Sequence, residues 1–226
     1  MIIKHVPNTI TCLNLFSGCL AVVAAFNSAP QLAFILILIA ALFDFMDGLA
    51  ARMLHAYSAI GKELDSLSDL VSFGFAPAVI VFNALSNTDI HESLTYFAFI
   101  IVIFSALRLA KFNIDERQTT SFIGLPTPAN AIFWGGLFSI YSDFMVSHPY
   151  LIIGLIAIMS LLLVAEIPLF SLKFKSLKWG DNVIRYIFLI GCIALFATLQ
   201  LASFVWIIVW YIALSITIWI VRKVKK

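Results

Sequence analysis

Residues 41–77 read ALFDFMDGLAARMLHAYSAIGKELDSLSDLVSFGFAP, and the four aspartates in this stretch decide what the chain can become. Asp44 and Asp47 lie inside an apolar run that meets no basic residue before Arg52, and Asp65 and Asp69 lie at the start of the next one. An aspartate at bilayer depth costs about 2.5–3.5 kcal/mol, so four cost roughly 10 kcal/mol or more. Four carboxylates together need a compensating arrangement, and bound cations are the obvious one.

Helical spacing makes that arrangement feasible. At about 100° per residue, Asp44, Asp47, Gly48 and Ala51 share one face with Arg52 at its margin, and Gly61, Asp65, Asp69 and Ser72 form a second stripe. The turn between them is short, so the two helices are expected as antiparallel neighbours with their carboxylates facing each other. A rise of about 1.5 Å per residue sets the acids roughly 5–15 Å below the helix ends. Carboxylates without adjacent His or Cys make a hard oxygen site suited to Mg²⁺, Mn²⁺ or Ca²⁺ rather than zinc. Two ions about 3.5–4 Å apart would give the two-metal arrangement of phosphoryl chemistry. Gly48 and Gly61 leave room for a phosphate to approach the backbone; small residues also serve close helix packing. A proton or ion pathway through the acids is the other reading of this spacing.

The rest of the chain supplies the membrane. Of 226 residues, 62% are hydrophobic and 12% charged, with a mean hydropathy of +1.05. Soluble domains run about 45–50% apolar and 25% charged, so an ordinary soluble enzyme, a disordered chain and a disulfide scaffold are excluded. Hydropathy divides the sequence into eight candidate spans, at 10–27, 31–54, 62–85, 93–112, 127–146, 150–167, 183–200 and 203–222. No domain-sized polar segment interrupts them, so 1–226 is expected to be one integral membrane domain, all-α and polytopic, with about eight transmembrane helices. Residues 1–26 have the outline of a leader, but Pro7, Asn8, Thr11 and Asn14 break its apolar run, and they are expected to stay as the first span. Cys12, Cys19 and Cys192 make no CxxC pair and are expected as free, membrane-buried thiols.

All 14 Lys and Arg residues fall at the N-terminus, after an even-numbered span, or at the C-terminus. The turns near 27–30, 87–92, 147–149 and 200 hold none. Positive charge prefers the cytoplasmic side, so both termini and the acidic pocket are expected there, in the cell's cytoplasmic membrane. Asp89, His91, Glu92 and His148 then lie on the opposite surface. The loop over 113–127, with Asp115, Glu116 and Arg117 followed by FIGLPTP, is either a substrate contact beside the site or a plain connector. Lys173, Lys175, Lys178 and Arg185, with Arg222, Lys223, Lys225 and Lys226, anchor the topology or attract anionic lipid.

Asp44-x2-Asp47-Gly48-x2-Ala51-Arg52-x8-Gly61-x3-Asp65-x3-Asp69 resembles the signature of the CDP-alcohol phosphotransferases without a departure. Pro7-Asn8-x2-Thr11-x2-Asn14-x3-Gly18, Ser72-Phe73-Gly74-Phe75-Ala76-Pro77-Ala78, Arg108-Leu109-Ala110-Lys111-Phe112-Asn113 and Phe122-Ile123-Gly124-Leu125-Pro126-Thr127-Pro128 resemble its bacterial, serine-using branch. Members that use glycerol phosphate often carry Arg where this chain has Asn14. The resemblance implies transfer of a phosphatidyl group from CDP-diacylglycerol to L-serine, with release of CMP, by a homodimer that handles no nucleic acid. It implies a first metal on Asp44, Asp47 and Asp65, a second on Asp65 and Asp69, and Asp69 as general base. It also implies CDP contacts from Gly48, Arg52, Ser58 and Gly61, with Asn8 and Thr11 lining the site.

Arg52 offers a planar fork for phosphate. A zwitterionic acceptor needs a cation and a polar partner, for which Arg108, Lys111, Asn14 and Ser72 are the candidates. Another acceptor, glycerol 3-phosphate or an inositol phosphate, remains open, as does a cation transporter or channel.

Overall fold

Pro7, Thr11, Asn14, Ser17, Gly18, Ala21, Ala24 and Ala25 form one buried stripe along helix α1, Val6–Phe26. These residues are small or slender, so the helix can wedge deeply between its neighbours. A Cβ on Gly18 would stand 2.2 Å from Ser72 Oγ and 2.8 Å from the Ser72 Cα. Only glycine permits that approach. The computed structural model that shows this packing describes residues 5–115, 122–172 and 178–224, apart from the side chains of Phe122 and Asp181. Lys4, Glu116, Arg117, Lys173, Lys175, Lys225 and Lys226, and the middle of the 113–127 loop, lie outside the described residues.

Helix α2, Pro30–Met53, follows a tight reversal in which Ser28 takes a positive φ of 54°. Its inner face runs Ala33, Phe34, Ile37, Ala40 and Asp47, a helical period that switches from apolar to acidic near its end. Helix α3, Ala59–Asp69, begins with Ser58, whose hydroxyl accepts from the Gly61 N–H at 3.0 Å. That bond satisfies one of the helix's open N–H groups.

After Asp69 the helix widens into a π-turn, Leu70–Phe75, and continues as α4, Ala76–Ser86. The Ala76 N–H reaches back five residues to the Val71 carbonyl. Pro77 explains the widening: it has no N–H to give, and its ring would press on the carbonyl four residues earlier. The combined stretch Ala59–Ser86 is the most buried of the membrane-length helices, with 67% of its apolar window enclosed. It forms the axis of the bundle.

A short helix α5, Glu92–Thr95, a 3₁₀ turn over Tyr96–Phe99 and helix α6, Ile100–Ile114, run on as one rod. Strand β1, Phe122–Ile123, precedes α7, Thr127–Ile140, and α8, Ser142–Val146. Helix α9, Pro149–Val164, leads to strand β2, Pro168–Leu169. The two strands pair antiparallel, Phe122 with Leu169 and Ile123 with Pro168. Helices α10, Trp179–Leu199, and α11, Ser203–Val224, reverse at Gln200, whose φ is 49°.

The protein is thus a multi-pass, nearly all-helical membrane protein. Helices occupy all eight stretches expected from hydropathy. Among the described residues, five helical stretches have the length and apolar character of a full crossing: Val6–Phe26, Pro30–Met53, Ala59–Ser86, Glu92–Ile114 and the 43-residue Asn182–Val224. The last of these contains the α10–α11 reversal, and Pro149–Val164 is a shorter apolar helix of 16 residues. The 127–146 stretch is broken at Tyr141 into α7 and α8.

One expected contact differs. Helices α2 and α3 are not extensive neighbours; α1 packs against both, and against the π-turn. The slender α1 stripe makes this possible and leaves space between the two carboxylate helices. The cysteines are free as expected, although Cys12 and Cys19 are exposed on the bundle's outer surface and Cys192 is half-buried.

Candidate active site

The acids converge where α1, α2 and α3 meet. Asp44, Asp47 and Asp65 each present one carboxylate oxygen within 4.8 Å of the other two. The Asp44 carboxylate also adjoins those of Asp65 and Asp69. Asp69 stands outside the tight triple, so the four acids form a group of three with a fourth beside it.

Each neighbour has a definite partner. The Asn14 amide donates to Asp69 Oδ1 at 3.2 Å, and the Ser72 hydroxyl donates to the Asn14 carbonyl at 3.1 Å. Asn14 and Ser72, expected as acceptor contacts, are both fully buried and engaged with Asp69 and with each other. The Thr11 hydroxyl donates to the Pro7 carbonyl at 3.0 Å while lying beside the Asp47 carboxylate. Asp47 is 6% exposed, and its Oδ2 has no hydrogen-bond partner among the described residues.

A buried anionic oxygen without a partner is costly unless a cation meets it. An all-carboxylate donor set with such an oxygen fits a hard divalent ion such as Mg²⁺ or Mn²⁺. The residues present therefore fit a metal centre, with Asp44, Asp47 and Asp65 as its nearest ligands.

A cleft of about 170 Å³ opens beside the triple. Asp47 and Asp65 form its floor, and Asn8, Thr11, Gly48, Ser58 and Gly61 line its walls. Every residue expected to touch the CDP group is here except Arg52. Its exposed side chain folds back so that Nε donates at 2.9 Å to the carbonyl of Gly48, itself a cleft-wall residue. A Cβ on Gly48 would meet nothing within 4 Å, so its wall is open as expected. Gly61 differs: a Cβ there would lie 2.9 Å from both Asn8 Oδ1 and Ser58 Oγ. Its role includes letting α1 seat against the start of α3.

Sequence reasoning missed Ala56, Tyr57 and Lys62 as cleft residues. The signal was position alone: Ala56 and Tyr57 lie in the turn between two acid-bearing helices, and Lys62 in the first turn of the second. Lys62 also ties the site to α6, donating to the Asn113 carbonyl at 2.9 Å, while the Asn113 amide donates to Ser66 Oγ at 2.8 Å.

Arg108 and Lys111 do not reach the cleft. Arg108 is 6% exposed, with its guanidinium 4.7 Å above the Phe112 ring and its charge close enough to act on Asp69. Lys111 forms a 2.8 Å ion pair with Glu166.

Buried and half-buried carboxylates at one end of a polytopic bundle, beside an open cleft, form a group that could hold a metal ion. The chain belongs to the CDP-alcohol phosphatidyltransferase family, whose model matches residues 4–179. It is 35% identical over 192 residues to the CDP-diacylglycerol–serine O-phosphatidyltransferase of Methanocaldococcus jannaschii, covering 84% of this chain and 83% of that one. The enzyme of the same name from Bacillus subtilis is 38% identical over 129 residues, 55% of this chain and 70% of that one. The archaetidylserine synthase of Methanothermobacter thermautotrophicus is 32% identical over 162 residues, 69% of this chain and 67% of its own.

Proposed function

We propose that this enzyme transfers the phosphatidyl group of CDP-diacylglycerol to the hydroxyl of L-serine, giving phosphatidylserine and CMP. The observation that carries the reading is the carboxylate triple, two of whose members, Asp47 and Asp65, line an open cleft, with the buried Asp69 beside it. Asp69 takes the proton from the serine hydroxyl as its oxygen attacks the phosphatidyl phosphorus. The phosphorus–oxygen bond to CMP breaks, and CMP leaves with the bridging oxygen. Two divalent ions, Mg²⁺ or Mn²⁺, on Asp44, Asp47 and Asp65 and on Asp65 and Asp69, would neutralise the pyrophosphate and the charge on the leaving CMP.

The chain's own residues do the positioning. Asn8, Thr11, Gly48, Ser58 and Gly61 hold the CDP group in the cleft, and the terminal nitrogens of Arg52 face its phosphates. A shallow site suits an amphiphilic donor, whose cytidine reaches water while its acyl chains stay in lipid. Arg108 and Lys111 serve the amino-acid acceptor, and Asn14, held to Ser72, supports Asp69.

The same reading places both termini and the site on the cytoplasmic side. Two observations support it: the 14-to-none partition of basic charge, and the gathering of Ser28, Pro30 and Asn87 from two basic-free turns around one cavity away from the carboxylates. The family resemblance adds a homodimer.

CMP release from CDP-diacylglycerol by the purified protein tests the proposal, with serine, glycerol 3-phosphate and inositol phosphate compared in turn. Release that needs both a divalent ion and serine supports it. Release driven by another acceptor overturns it.

A further inference from the structure

Arg108 lines a second depression, between α6, α9 and β1, that shares no residue with the cleft. Lys111, Asp115 and Glu166 are its other charged walls. Arg108 is more than nine-tenths buried, and its Nε has no hydrogen-bond partner among the described residues. A buried guanidinium with an idle donor is a costly arrangement, relieved by an anion. Because the Arg108 charge also acts on Asp69, an anion held there sits close to the base.

The depression is nearly closed, with room for about 10 Å³. Lys111 and Glu166 pair across its lining, 2.8 Å apart, with side chains 50% and 57% exposed. Lys111 Nζ also reaches the Val164 carbonyl at 3.5 Å. An ion pair this exposed contributes little and parts easily.

The position of Glu166 is fixed, however. The Gly124 N–H donates to the Ile167 carbonyl at 3.0 Å and the Leu125 N–H to the Leu162 carbonyl at 2.8 Å. Gly124 has a φ of +78°, and a Cβ there would stand 2.3 Å from the Leu163 carbonyl oxygen. The Gly-Leu-Pro part of the 113–127 loop thus clamps the chain that carries Glu166.

We infer that the acceptor's amino-acid end enters by inserting into the Lys111–Glu166 pair: its carboxylate takes Arg108 and Lys111, its ammonium takes Glu166, and its hydroxyl points towards Asp69. A zwitterion is the ligand that can do this at no cost in unpaired charge, because one ion pair is replaced by two. An acceptor with only one of the two charges leaves Glu166 or the cations unmatched. Glu166 is therefore a specificity residue, a role that nothing in the signature motif suggests. The inference rests on the serine reading given above.

The test is Glu166→Gln in the full-length protein, with CMP release measured against L-serine and against 3-hydroxypropionate, which keeps the carboxylate and hydroxyl but lacks the ammonium. The KM for serine should rise roughly tenfold or more while the KM for CDP-diacylglycerol stays put. The preference of wild type for serine over 3-hydroxypropionate should shrink by the same factor, and Glu166→Asp should restore part of it. A serine KM equal to that of wild type, or an equal loss with both acceptors, overturns the inference alone. Wild-type release indifferent to serine overturns the serine reading and the inference with it.

Discussion

Replacing Asn14 by alanine isolates the support of the proposed base. Asn14 is fully buried, and its amide donates to Asp69 Oδ1 at 3.2 Å. The Ser72 hydroxyl is held by the Asn14 backbone carbonyl, which alanine keeps, so the contact between α1 and the π-turn should survive. What disappears is one hydrogen bond to a carboxylate, worth about 1.5–3 kcal/mol. Felt wholly in the transition state, that is roughly 10–150-fold in rate. At 3.2 Å the bond is longer than the usual charge-assisted range of about 2.7–2.9 Å, which points to the lower end. We expect kcat for serine-dependent CMP release to fall about tenfold. The KM for CDP-diacylglycerol should not move, because Asn14 is not part of the cleft wall. A kcat within about twofold of wild type, in protein with an unchanged unfolding midpoint, would refute the idea that Asn14 orients Asp69. A loss confined to the CDP-diacylglycerol KM would refute it equally.

Two further substitutions follow from the same geometry. Gly18→Ala drives a methyl into the Ser72 Oγ and Cα; the backbone atom cannot step aside, so stability should fall by about 1–3 kcal/mol, read as a lower thermal midpoint, with activity falling alongside. Arg52→Ala should raise the KM for CDP-diacylglycerol about tenfold and leave the serine KM alone, since its guanidinium is tied through Nε to the carbonyl of the cleft-wall Gly48; an unchanged KM would reduce Arg52 to a membrane-boundary anchor.

The clustering of the acids was legible because it rests on local spacing. Asp44, Asp47, Asp65 and Asp69 repeat at helical intervals on two consecutive helices, and an acid at bilayer depth has few uses. Gly61 shares that helical stripe, whereas Ser58 was expected only from the family resemblance; both line the cleft. What the sequence concealed is non-local. The small-residue stripe of α1 announces close packing but not a partner, so its position between α2 and α3 had to be seen. Asn14 and Asp69 are 55 residues apart, and so are Lys111 and Glu166. No periodicity links such pairs. Pro77 stood in the sequence only as part of a family-like motif, and its consequence, a π-turn immediately after Asp69, depends on the bundle holding both halves in line. Hydropathy put a helix in every expected stretch but overstated two of them, because the 127–146 stretch is broken at Tyr141 into α7 and α8 and α9 is short.

The central claim is that Asp69 accepts the acceptor's proton within the carboxylate centre. Serine-dependent CMP release by Asp69→Asn, in membranes where insertion of the variant is verified, tests it most directly. The amide keeps the shape and removes the base, so release should fall by about 10²–10⁴-fold while the protein still inserts. Full activity in the inserted variant would contradict the assignment.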